Sequence, residues 1–569
     1  MGNPLFRTKK IDSILAEGSE EGHGKGLKRV LDAKDLTFFG IAAILGAGSF
    51  SSLGSAIFSG GPGVIILFII TGIACAFTAL CYSDFASRIP VAGSAYTYAY
   101  ASFGELFAWI IGWALIMEYS IGNIYVSFCW SDYFTSFLDK IHIHIPEYLC
   151  TSYMEAKHAI AAGTKSEEMQ LAWNNAPMLG SLKFIVDLPA LVINAFITYL
   201  AYIGIKESKN FSNLMVILKL AVVFLIIVVG GYIVLSHGLT FNWLPENANH
   251  VKSFMPNGFS GVMAAVAGVF FAYVGFDAVS VLAEECKNPQ RDLPRGMIYS
   301  LIICTVIYIL LTLVLTGATH YTNFENIGDP LAFIFEPQNL NVGWMQFLVS
   351  ITAVIAMTSV LLIFQMGQPR IWMSMSRDGL IPPVFQKIHP KYKTPSFATI
   401  ITGLVVGVPV LFTDKSFVLD FTSIATLFAF VLVCGGVLFL PRKLKESGRF
   451  HLPYISAKYT FPLITILAIS LVVILQKNYF NDILNWNSVD GNLSFRVASV
   501  IFWLICIFLS IGAYIKNWSL IPLLGLSTCL YLLTGMTGIN WAWFTGWLLI
   551  GLVVYRLYGF NKSKLATSR

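Results

Sequence analysis

Gly40–Gly54 reads GIAAILGAGSFSSLG and interrupts the first long apolar segment with small residues at its middle. Ile41 to Leu45 can continue a helix, whereas Gly46, Ala47, Gly48 and Ser49 bring permissive dihedrals, close backbone approach and no bulk. A helix is expected to break there. Counted from Leu36, the first residue after the charged Lys34 and Asp35, Gly46 lies about 15 Å along a helix, half of a hydrocarbon core of about 30 Å. Lipid cannot satisfy backbone groups freed at that depth, so they are tolerated where they line a cavity and serve a ligand. A glycine-rich helix-packing face is the other reading of the same residues.

The rest of the chain gives this break its setting. Of the 569 residues 56% are hydrophobic and 12% charged, against about 25% charged in soluble domains. That balance specifies a polytopic, all-α membrane protein. Spans are expected at 36–58, 63–87, 104–137, 183–204, 211–236, 258–284, 296–318, 343–376, 397–413, 418–440, 460–476, 497–515, 519–536 and 540–558, about fourteen in all. No connection is long enough for a separate soluble domain of ordinary size. The N-terminus is polar for some thirty residues and has no apolar h-region, so it does not read as a cleaved signal peptide. Eight cysteines lie in apolar spans or at a span end and only Cys150 in an outer loop, which implies no disulfide framework.

Orientation follows from Lys and Arg in the connections. The side holding the N-terminus carries 28 of the 37 and the opposite side eight, with Lys219 inside a span. Both termini are therefore expected in the cytoplasm. The net charge of +6 reflects topology and not nucleic-acid binding. His142 and His144 in the largest outer loop, 138–182, are read as solvated, with no metal expected.

Span 6 repeats the anomaly of span 1. In NGFSGVMAAVAGVFFAYVGFDAVSVLAEE, the run from Phe271 to Asp277, which carries Gly275 and a carboxylate, begins about 18 Å from Phe259, again near mid-membrane. Span 1 opens the first five spans and span 6 the next five. Matching interruptions in two halves point to a transporter built from an inverted repeat. Lys219 stands alone in FSNLMVILKLAVVFLIIVVGG, about 12 Å deep from Phe211. An ammonium there costs roughly 3 kcal/mol or more, so it must face a cavity, find a partner or give up its proton. It is thus a candidate proton-coupling group, or else a static donor to carbonyls of the broken span 1. Glu118, near the middle of span 3, is expected either to line the pocket or to cap a polar helix contact.

The chain resembles the amino acid–polyamine–organocation superfamily, in particular the cationic amino acid transporter-like permeases. The resemblance covers nearly everything from Leu36 to Gly559. It is carried by GAGSF (Gly46–Phe50), IPVAGSAYTYAYASFGELFAWIIGWALIMEY (Ile89–Tyr119), FFAYVGFDAVSVLAEECKNPQRDLPRGM (Phe270–Met297) and GQPRIWMSMSRDGLIP (Gly367–Pro382). It implies a five-plus-five inverted repeat with broken helices 1 and 6. The chain then divides into a cytoplasmic segment 1–35, a transport core 36–440, additional helices 441–559 and a cytoplasmic tail 560–569.

By the same resemblance, Ala47 and Gly48 would offer N–H groups to a substrate carboxylate, with Ser49 nearby. Carbonyls of Ile44, Phe271, Ala272 and Val274 would accept from its ammonium, and Phe271 matches an aromatic gate. Lys219 matches the lysine that replaces a sodium ion in proton-coupled members, with Thr358 and Ser359 as the flanking helix-8 hydroxyls. The expected function is uptake of an L-amino acid with H+ as coupling ion and no other cofactor. The alternatives are an exchanger or a non-transporting sensor of the same fold. An enzyme is not expected, since no His lies in a span interior and Lys219, Glu118 and Asp277 are far apart in sequence. The location implied is the plasma membrane, or the inner membrane in a bacterium. Apolar bulk in AMTSVLLIFQMG argues for neutral side chains at least as much as cationic ones. Oligomeric state is left open.

Overall fold

The computed structural model describes residues 7–9, 31–46, 48–89, 94–163, 166–180, 182–204, 209–246, 250–392, 394–439, 450–475, 479–484 and 493–567. Ala47, most of the 1–35 segment and the beginning of the 441–559 segment lie outside them. Among the described residues, eight helices are long and apolar enough to cross a membrane, or nine if the bent pair Gly258–Ala264 and Val266–Ser280 is one span. That is fewer than the fourteen expected, for two reasons. The helices Leu188–Ile203, Ser396–Val410, Thr460–Ile474 and Leu520–Leu533 are apolar but short. The first expected span is divided: its inner helix Ala33–Ile44 has 12 residues, and its outer part runs on through Gly61–Gly63 into Val64–Arg88.

The inner helix of span 1 starts at a capping box. The Asp32 carboxylate accepts from Lys34 N and Asp35 N at 2.9 and 3.1 Å, and Asp35 returns a bond to Asp32 N at 3.0 Å. Span 3, Glu105–Lys140, runs beside span 8, Gly343–Arg377, at the centre of the bundle. The apolar stretch of span 3 is 83% buried, against 28% and 22% for the peripheral helices Leu493–Lys516 and Gly538–Lys562. Yet the last of these braces span 3 directly. Trp113 stacks on Trp547 at 4.7 Å, and each indole N–H donates to the other residue's carbonyl, at 2.8 and 3.0 Å. The described parts of both termini meet at the Glu105 end of span 3. There the Glu105 carboxylate accepts from Tyr555 and Ser563 and lies 3.9 Å from Arg7, while Lys9 pairs with Asp378 at 2.9 Å.

The stretch after span 3, expected as a loop, is folded. Helices Tyr153–Ala161 and Glu167–Asn175 start at Ser152 and Ser166, whose hydroxyls accept from Glu155 N and Met169 N. A short hairpin, Met178–Leu179 against Leu182–Lys183, is the one two-stranded sheet among the described residues of an otherwise helical chain. Ala156, Ala176 and Ile185 form a small core of its own. Within this cap His144 is not simply solvated: it lies 3.0 Å from Asp139 and 3.2 Å from Glu147, and these carboxylates raise its pKa.

Candidate functional site

Span 1 stops at Ile44 and turns at once. Gly46 N donates back to Ile44 O at 2.9 Å, and Gly46 O then accepts from Ser49 N, Phe50 N and the Ser49 hydroxyl. The chain resumes as a π turn, Gly48–Ser52, before the helix Leu53–Gly60. Span 6 bends by 42° near Ala265, ends its helix at Phe271, and turns through Gly275 at φ +114° into the 3-10 helix Phe276–Glu285.

The two interruptions lie against each other. A Cβ on Gly48 would fall 2.4 Å from Ala272 Cα, and one on Gly275 would fall 2.9 Å from Ala43 O. Each break thus presents a glycine to the backbone of the other. Two hydroxyls cross the junction. Ser52 Oγ lies 2.6 Å from Gly48 O and 2.8 Å from Gly268 O. Tyr308, buried in span 7, holds Oη 3.0 Å from Ile44 O and 2.7 Å from Ala272 O. A phenol has one proton, so it can serve only one of those carbonyls at a time.

Between the breaks is a cavity of about 10 Å³, lined by Ala43, Ile44, Gly46, Gly48, Val126, Phe271, Val274, Val360 and Phe364. Its space suits about one water, so an amino acid fits only when these walls move apart. On the far side of Phe271 a second cavity of about 430 Å³ opens, with Tyr125 in its wall. The Tyr125 and Phe271 rings meet edge to face at 4.7 Å and form the partition.

The structure gathers Ile44, Gly48, Phe271 and Val274 around the small cavity. Ala272 is pressed on Gly48 behind its wall, and buried Ser49 turns its hydroxyl to Gly46 O. Ala47 lies outside the described residues. Glu118 is not in the lining: it lies eight residues before Val126, about 12 Å down span 3, where it interacts with Thr426 of span 10 and Asp277 of span 6. Lys219 is buried and donates to the Ser359 hydroxyl at 2.8 Å, one residue from the lining residue Val360. Thr358 points elsewhere, accepting from Trp130 Nε1 at 2.9 Å and donating to Val354 O. Sequence reasoning missed Tyr308, Tyr125 and Ser52. The signal for Tyr308 was a phenol in the apolar run TVIYILLTL.

A family model described as amino acid permease matches residues 31–510. The chain belongs to the amino acid permease family. Among its relatives, this permease is 37% identical to the branched-chain amino acid permease BcaP of Bacillus subtilis, over 99% of this chain and 100% of that one. It is 34% identical to the methylthioribose transporter of the same organism, over 99% of each chain. It is also 34% identical to the vacuolar cationic amino acid transporter 4 of Arabidopsis thaliana, over 77% of this chain and 67% of the relative. The family fold is that of the amino acid–polyamine–organocation superfamily, and it makes the permease a multi-pass membrane transporter of amino acids and not an enzyme.

Proposed function

We propose that the permease is a proton-coupled importer of neutral, aliphatic L-amino acids that works by alternating access. Its core is a five-plus-five inverted repeat within about fourteen spans, set in the cell membrane with both termini cytoplasmic. The observation that carries this reading is the pair of glycine-packed breaks around an apolar cavity, with Lys219 one residue behind its wall. Backbone at the breaks would hold the zwitterion, with N–H groups at Ala47 and Gly48 for the carboxylate and carbonyls of the span 6 turn for the ammonium. Ile44, Val126, Val274, Val360 and Phe364 offer the side chain an apolar surround. The similarity to a branched-chain permease supports that choice. Glu118, set below the cavity with Asp277, would act on the substrate or its proton through the intervening space and not by contact.

Lys219 would carry the coupling. Its ammonium, bound to Ser359, ties span 5 to span 8 beside the inner half of span 1. Loss of the proton releases that tie.

The test is uptake into proteoliposomes. Labelled leucine or valine should accumulate on an inward proton gradient in the absence of sodium, and Lys219→Ala should lose accumulation while keeping counterflow. Displacement of label by arginine, lysine and ornithine alone would overturn the substrate class. Gradient-driven accumulation by Lys219→Ala would move the coupling to another group. Binding without any accumulation by the unmodified protein would make it a sensor.

A further inference from the structure

The larger cavity lies at the end of the bundle away from the termini, above the Tyr125–Phe271 partition. Its walls include Ser55 of span 1, Gly268 of span 6, Asp414 and Lys415 at the start of span 10, and Glu155 and His158 of the cap helix Tyr153–Ala161. On the transport reading proposed above, an amino acid bound for the small cavity from that side would pass through it.

The cap is held at its base and fastened across the chamber. At the base, buried Asp187 accepts from the Ser131 hydroxyl of span 3 at 2.7 Å and from Ala190 N of span 4 at 3.0 Å. Across the chamber, His158 Nδ1 lies 3.0 Å from Asp414 Oδ2. Asp414 is held for this contact, because its other oxygen accepts from Phe417 N at 2.7 Å and the Ser416 hydroxyl at 2.9 Å, capping span 10. The His158 side chain is 57% exposed, so the fastening borders solvent.

We propose that the cap helix Tyr153–Ala161 is a lid over this chamber, latched by His158 on Asp414, and that Glu155 beneath it keeps the lid shut in acid and favours its opening in alkali. The chamber places Glu155 opposite Lys415 and Asp414 of span 10, with Asp132 of span 3 and Glu168 of the second cap helix nearby. Asp420 and Glu325 lie along the same walls. Lys415 is already paired with Asp132. Burial pushes the Glu155 carboxyl up to about 7, Lys415 opposing and the three acids reinforcing the shift. A closed lid therefore favours neutral Glu155, while an open one returns it to water and to an ordinary carboxylate value. Raising the pH through about 7 ionises Glu155, and the cost of keeping that charge buried under a closed lid favours the open one.

The test uses the full-length protein in proteoliposomes with equal pH on both sides, so that no gradient contributes. In a Cys150→Ser background, which leaves eight buried cysteines, His158→Cys with Asp414→Cys should cross-link on oxidation. Amino acid exchange should then fall by about tenfold or more and return on reduction. Failure to cross-link, or unchanged exchange in the cross-linked protein, would overturn the lid. Exchange by the unmodified protein should rise by about threefold or more from about pH 6 to about pH 8, and Glu155→Gln should flatten that rise at the low rate. A Glu155→Gln profile matching the unmodified one would remove Glu155 from the switch. Absence of exchange in the reduced, unmodified protein would instead count against transport itself.

Discussion

The break in span 1 resumes as helix within three residues, whereas the break in span 6 takes four residues of turn and then runs on as a tighter 3-10 helix. Both use glycine at the point of contact, but the requirement differs. Gly48 has no positive φ and needs only the space that Ala272 leaves it. Gly275 needs space beside Ala43 and also a dihedral, φ +114°, that other residues rarely adopt. The requirement for glycine in the span 1 break is therefore set by its neighbour, while that in the span 6 break is also built into its backbone. This division suits a moving partner and a fixed one. The serine-rich π turn Gly48–Ser52 fits the first role, since such turns gather at functional sites.

Substitutions can sharpen or break that contrast. The largest effect is expected from Gly48→Val, whose side chain would meet backbone atoms, Ala272 Cα at 2.4 Å and Phe271 O at 3.0 Å. Trimming Ala272 to glycine leaves those atoms in place, so the double variant should not recover. Ligand-induced thermal stabilisation should vanish while the folded protein persists with the breaks forced apart. Retained binding by Gly48→Val would remove the junction from the site.

Gly275→Ala should act on the fold and not on the contact alone. Strain at a positive φ adds about 1–3 kcal/mol, and the new Cβ lies 2.9 Å from Ala43 O. The expected outcome is a lower melting temperature with and without amino acid. A variant that melts normally and merely binds weakly would make the two breaks equivalent and end the distinction.

Tyr308→Phe should have the smallest effect of the three, because it removes one hydroxyl and adds no bulk. Ile44 O keeps its bond from Gly46 N, so the loss falls mainly on Ala272 O, at about 1–2 kcal/mol. Binding titrations should show weaker affinity if the hydroxyl holds the breaks in register, and tighter affinity if it competes with the substrate ammonium for the carbonyls. An unchanged affinity would show that the bridge does neither.

Local chemistry carried much of this. Hydropathy placed the chain in a membrane, small residues marked Gly46–Ser49 and Phe271–Asp277 as interruptions, and a lone charge singled out Lys219, because each is a property of a short stretch in a known solvent. The cap between spans 3 and 4 was less legible, since its helices are short and polar and owe their form to serine caps and a three-residue core. Tertiary structure decided which groups meet. Neighbouring residues on a helix point about 100° apart, so of the adjacent hydroxyls Thr358 and Ser359 one turned to Trp130 and the other to Lys219. The same geometry put Val126 in the wall of the small cavity and Glu118 about 12 Å below it on span 3. It also brought Tyr308 from span 7 to both breaks. Depth along a span is written in the order of residues, but rotation about its axis is fixed only by the helices packed around it.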